Sequence, residues 1–105
     1  MAFSRDQRLA FWTLVAERIE RSDPQALVRA QERLTRWQAG NSPAASGYWR
    51  EWEAWIQRGV PAVVSMLRED SEHADALRST APFVDVISQE ERRIFLESLR
   101  TERAA

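Results

Sequence analysis

The chain has 105 residues, 44% of them hydrophobic and 30% charged, with 15 cations against 16 acids and no cysteine. That is the length of one domain, too apolar for a disordered chain, with no means of forming disulfides, zinc knuckles or a catalytic thiolate. No apolar run approaches the roughly 18 residues of a membrane span, and the N-terminus lacks a signal peptide's apolar core. A cytoplasmic protein that does not engage a membrane is expected.

The net charge of −1 also counts against nucleic-acid binding by bulk charge. Every cation is arginine. Codon usage in a GC-rich genome accounts for this. The alternative is functional, because the planar guanidinium pairs bidentately with carboxylate or phosphate and stacks on aromatic rings.

In chain order, Ser4-Arg5-Asp6-Gln7 has the Ser-x-x-Gln form of a capping box and predicts a first helix from about residue 5 to Arg21. Leu9, Phe11, Trp12, Val15, Ala16 and Ile19 share its apolar face. Arg5 and Arg8 flank the first turn, as a solvated end or reaching over Trp12, and Leu14 falls on the opposite, exposed side. Ser22-Asp23-Pro24-Gln25 is a strong helix start. It predicts a second helix over 24–39 with the stripe Leu27, Ala30, Leu34 and Trp37, closed by Gly40-Asn41. The short connection implies an antiparallel hairpin over 1–39.

Gly40 to Gly47 is rich in small residues and turn formers and reads as an inter-helix loop; Ser42-Pro43 offers an earlier cap for the helix that follows. That third helix begins near Tyr48 and ends at Gly59. A fourth starts at Val60-Pro61 with Val63, Val64 and Leu67 in helical spacing, a fifth spans about 71–79, and residues 82–87 form a turn tucked beneath the others. Ser88-Gln89-Glu90-Glu91 is a second capping box, opening a last helix with a broad face of Ile94, Phe95, Leu96 and Leu99, and Thr101 to Ala105 should fray. No segment alternates like a strand. The expected fold is a single all-α domain of about six helices, the hairpin joined to a Trp-rich remainder over 48–105.

The most concentrated chemistry lies in Tyr48-Trp49-Arg50-Glu51-Trp52-Glu53-Ala54-Trp55-Ile56. On a helix, Tyr48, Trp49, Trp52, Trp55 and Ile56 fall within an arc of about 120°. The four aromatics offer on the order of 600–1,000 Å² for burial, about 15–25 kcal/mol of gross driving force. Such a stripe is not left in water. It packs on the Trp12 and Trp37 faces, or meets a partner or second copy, or stacks bases.

Arg29, Arg33 and Arg36 recur at i, i+4 and i+7 beside the second helix's apolar stripe. They read as a solvated, ion-paired face, with Glu32 near enough to pair, or as a clamp on an acidic partner or a phosphate track. The segment 69–75 holds the only histidine, His73, with Asp70, Glu72 and Asp75. It lacks the glycine and closing glutamate of an EF-hand, and a Ser71 or Asp70 helix cap explains it without metal. No nucleophile motif or glycine-rich phosphate loop is present.

These features point to a non-enzymatic protein-interaction module with neither cofactor nor metal. It would homodimerise or dock a protein partner through Trp49, Trp52, Trp55, Arg29, Arg33 and Arg36. The alternative is a small nucleic-acid-binding regulator using the arginine face, and a minor one is an acid-lined site near His73.

Overall fold

The computed structural model describes residues 4–40 and 46–104, with side chains described for 4–40 and 47–99. Within them the chain is all-helical. Six helices follow in order: α1 (Arg5–Arg21), α2 (Ala26–Ala39), α3 (Ser46–Gln57), α4 (Val60–Arg68), α5 (Glu72–Ser79) and α6 (Gln89–Ala104). No strand occurs among the described residues, and no helix there is long and apolar enough to cross a membrane.

Local chemistry sets most of the ends. The Ser4 hydroxyl accepts the Gln7 N–H at 3.1 Å while the Gln7 amide oxygen accepts the Ser4 N–H at 3.0 Å, a complete capping box. Ser71 and Ser88 cap α5 and α6 in the same manner, each accepting at 3.1 Å from the N–H three residues on. Gly59 sits at φ 98°, a conformation costly for any side chain, and lets α4 start directly after α3.

Three boundaries differ from expectation, the first being that α3 starts at Ser46, inside the segment read as a loop, rather than near Tyr48. α2 begins at Ala26 rather than Pro24, because the Ala26 and Leu27 N–H groups bond to the Asp23 and Pro24 carbonyls in tight turns before helical pairing starts. α6 continues to Ala104 instead of fraying at Thr101. The proposed Ser42-Pro43 cap lies outside the described residues.

The short 22–25 connection is present, but each arm of the N-terminal hairpin finds its main partner elsewhere. α1 packs most extensively on α4, and α2 packs on α3. One core joins Val15, Ala16 and Ile19 of α1 with Leu27, Ala30 and Leu34 of α2, Trp49 and Trp52 of α3, Val63, Val64, Met66 and Leu67 of α4, and Ala74 and Leu77 of α5. The 81–87 segment adds Ala81, Phe83, Val86 and Ile87, the tucked turn that the sequence implies. α6 stands apart. Its main helix contact is with α1, and none of its described side chains is fully buried.

Candidate functional site

The aromatic stripe is divided along its length. Trp52 has no accessible surface; its indole N–H donates to the Leu77 carbonyl at 2.8 Å, and its ring meets Phe83 edge-on at 5.4 Å. Trp49 is buried against Trp37, ring centroids 5.6 Å apart. Trp55 is half-buried, donating to Glu51 at 3.1 Å under the Arg58 guanidinium, which lies 4.8 Å from the ring centroid. Tyr48, at the start of the stripe, is exposed. Trp37 and Phe83, rather than Trp12, therefore receive the stripe. Trp12 packs edge-on against Phe11 at 5.4 Å, towards α6.

The arginine face of α2 is largely committed within the molecule. Arg29 forks onto Asp23 at 2.6 and 3.1 Å and reaches Asp85 at 2.9 Å. Arg33 donates to the Pro82 carbonyl at 2.8 Å and to Asp85 at 3.2 Å. Together they tie the 82–85 turn to α2; the expected partner Glu32 takes no part. Asp23 is held below the usual carboxylate range by its hydrogen bonds from Arg29. Partial burial pushes Asp85 upward, but hydrogen bonds from Arg29 and Arg33 outweigh it and the net shift is down. Arg36 alone of the three points to an open surface, a groove of about 570 Å³ that also touches Trp37, Trp49 and Thr80.

The acids near His73 are likewise engaged. Arg5 bonds Asp70 and, at 2.8 Å, Asp75, so its guanidinium is turned to α5 and not over Trp12. Asp75 also pairs with Arg78. His73 lies 2.8 Å from both carboxylate oxygens of Glu51. Among the described residues no cluster of three His, Asp or Glu side chains is placed to hold a metal ion.

Arg78 was not legible as a special residue. It is 4% exposed, and its guanidinium donates to the Met66 and Leu67 carbonyls at 3.3 Å and to that of Glu69 at 2.6 Å. It thereby gives donors to the Leu67 carbonyl in the last turn of α4 and to the Glu69 carbonyl just past it, and a second donor to that of Met66, which also accepts the Glu69 N–H at 3.3 Å. Its role is to fix the α4–α5 corner.

Besides the single exposed side chains Val28, Tyr48 and Val84, a run of uncovered apolar residues lies along α6. Ile94 is 54% exposed, and Phe95, Leu96 and Leu99 are half-exposed, outside both the core and the ring of side chains packed around it. α6 is held by Phe95 against Phe11, centroids 6.4 Å apart, and by Arg18 on Glu91 at 2.6 Å. A groove runs on each side. One, about 460 Å³ and open, is lined by Leu9, Ala10, Leu14, Phe95 and Leu99, with Asp6 and Glu17 as its only charged residues among those described. Leu14, expected as an isolated surface leucine, is part of that apolar floor and packs against the core. The other, about 380 Å³ and more enclosed, has Phe11, Trp12, Phe83, Ile87 and Leu96 as its floor and Arg8 and Arg92 as its only charged residues among those described.

The broad apolar face of α6 is visible in its sequence. Its lack of a cover is not, because that depends on α1 turning its other side to α4. Comparison with protein-family models, with curated proteins and with solved structures finds no match.

Proposed function

We propose that this chain is a non-enzymatic protein-docking module whose contact surface is the acid-bordered groove between α1 and α6. One observation carries this reading: a 16-residue helix bearing Ile94, Phe95, Leu96 and Leu99 has no described side chain fully buried. Apolar faces of that kind on a folded domain mark interaction sites.

Charge selects the partner. Asp6 and Glu17 are the only charged residues in the described lining of the groove, so the fitting occupant is an amphipathic helix whose apolar stripe is flanked by lysine or arginine. Pairing the groove with a second copy would bring both acids of each chain together, which disfavours homodimerisation through it. The Trp49/Trp52/Trp55 stripe contributes mainly by holding the scaffold, with Trp55 as its half-open edge. The nucleic-acid alternative loses support because Arg29 and Arg33 are taken by Asp23, Asp85 and a carbonyl.

Fluorescence anisotropy with two labelled helical peptides tests the reading. Both carry the same leucine stripe, one with lysine flanks and one with glutamate flanks. The lysine peptide should bind, weaken as salt rises, and lose about tenfold or more in affinity on Leu14→Asp. Equal binding of the two peptides, or indifference to Leu14→Asp, removes the proposal. Concentration-dependent dimerisation in sedimentation that Leu14→Asp abolishes would replace it with self-association.

A further inference from the structure

We infer that the helix received by the acid-bordered groove carries two basic residues about three helical turns, or eleven positions, apart, with apolar side chains facing the groove between them. This rests on the docking reading above and adds to it a register that α1 alone sets. Asp6, Leu9, Ala10, Thr13, Leu14 and Glu17 line the groove from the α1 side. They fall at i, i+3, i+4, i+7, i+8 and i+11, which is a single face of the helix. A step of eleven residues comes within about 20° of whole turns, so Asp6 and Glu17 stand on one line, about 16 Å apart along the axis. Both acids are exposed.

Between the acids the floor is apolar. Leu9, Ala10 and Leu14 carry hydrocarbon side chains, and the Thr13 hydroxyl donates back to the Leu9 carbonyl at 2.9 Å. The opposite wall belongs to α6, which runs antiparallel to α1: Arg18 meets Glu91 at 2.6 Å, Phe11 meets Phe95 at 6.4 Å, and Leu9 shares the groove with Leu99. The described lining of that wall, Phe95 and Leu99, holds no charge. A helix laid in this seam lies along α1 and meets a carboxylate at each end and none in its middle. A cation near either acid gains a favourable pair, whereas one over Leu9 and Leu14 loses water with no counter-charge in return. An apolar stripe that repeats every turn leaves the helix free to slide along the seam. The two acids remove that freedom, as charges fix register between packed helices.

Fluorescence anisotropy of the intact protein with three labelled helical peptides sharing one leucine stripe tests the register. The first has lysines at i and i+11, the second has both lysines at one end, at i and i+4, and the third has glutamine at all these positions. The first should bind about threefold or more tightly than the second, and the gap should close near 1 M salt, where the Debye length is about 3 Å. Glu17→Gln should bring the first peptide to the affinity of the second, and Asp6→Asn should do the same. Glu20→Gln, at an α1 acid outside the groove that faces Arg68 at 3.9 Å, should leave the gap intact. Equal binding of the two lysine peptides, both tighter than the glutamine peptide, overturns the register and leaves the docking reading standing. No gain from lysine over glutamine removes both. Equal losses from Glu17→Gln and Glu20→Gln would show a diffuse field in place of two fixed contacts and also overturn the register. The peptide comparison uses the unaltered chain and so does not depend on any variant folding.

Discussion

Trp52 and Trp55 lie three residues apart on one helical stripe, and their truncation should separate core from edge. Trp52 is wholly buried. A tryptophan of that kind removes about 200 Å² from water, about 5 kcal/mol gross, to which the edge-on contact with Phe83 adds up to about 1 kcal/mol. Some of this returns by relaxation, and large-to-small core substitutions of this type cost about 3–5 kcal/mol. The lost indole N–H adds little, because the Leu77 carbonyl also accepts from the Thr80 N–H and hydroxyl, each at 3.0 Å. Trp52→Ala should therefore cost about 4 kcal/mol, near 15–20 °C in Tm for a domain of this length. That is a large share of a typical domain's total stability. Trp55→Ala loses only a partly buried ring and an exposed cation–π contact with Arg58, about 1–2 kcal/mol. Urea unfolding followed by circular dichroism is the suitable assay, since fluorescence would change with the tryptophan removed. Equal losses at the two positions, or a loss below about 1.5 kcal/mol for Trp52→Ala, would refute the division of the stripe.

Arg78→Met should destabilise the domain by about 3 kcal/mol, because it strips donors from three carbonyls at the α4–α5 corner and takes one of the two arginine partners of Asp75, leaving it Arg5 alone. Arg78→Lys should recover only part, lacking the planar fork, and a loss under about 1 kcal/mol for Met in urea unfolding would remove this role. Acid sensitivity follows from Asp23, Asp75, Glu91 and Glu53, each held below its ordinary range by hydrogen bonds, from Arg29, Arg5, Arg18 and Gln31 respectively, and from Asp85, lowered on balance. Carboxylates depressed in the folded state contribute stability above their unfolded values near 4 and lose it as pH falls through the lower folded values. Unfolding free energy should be level from about pH 5 upward and decline below about pH 4; a decline that starts near pH 6 would show that other groups govern acid stability.

The elements were legible where a short-range device defines them. Ser4 with Gln7, Ser71, Ser88 and Gly59 act within three or four residues, so their helix ends follow from local chemistry. Asp23-Pro24 misled by two residues because the chain closes tight turns there, with the Ala26 and Leu27 N–H groups on the Asp23 and Pro24 carbonyls, before helical pairing begins. The candidate surface was legible only in part. The apolar face of α6 stands out in sequence, whereas Leu14 passes for a stray surface leucine until Phe95 and Leu99 are brought beside it. Arg5, Arg29, Arg33 and Arg78 are chemically alike in the sequence. Their partners lie between 3 and 70 positions away, and no periodicity carries that information.

By itself the sequence determined the helical class, the approximate span of each helix, and the apolar stripe on each, because all three follow from 3.6-residue periodicity and capping groups. It also determined that the centre of the aromatic stripe of α3 had to be buried, although Tyr48 at its start stays exposed. Tertiary structure alone decided where: Trp52 in the core under Phe83, Trp49 on Trp37, and Trp55 at the edge. It decided too that α1 gives its strongest contact to α4 and leaves α6 half-covered, with an acidic groove on one side and a basic cleft on the other. The hydrophobic effect demands burial without naming a partner. Pairing is set by which combination of faces fills one core, and only the folded chain as a whole makes that choice.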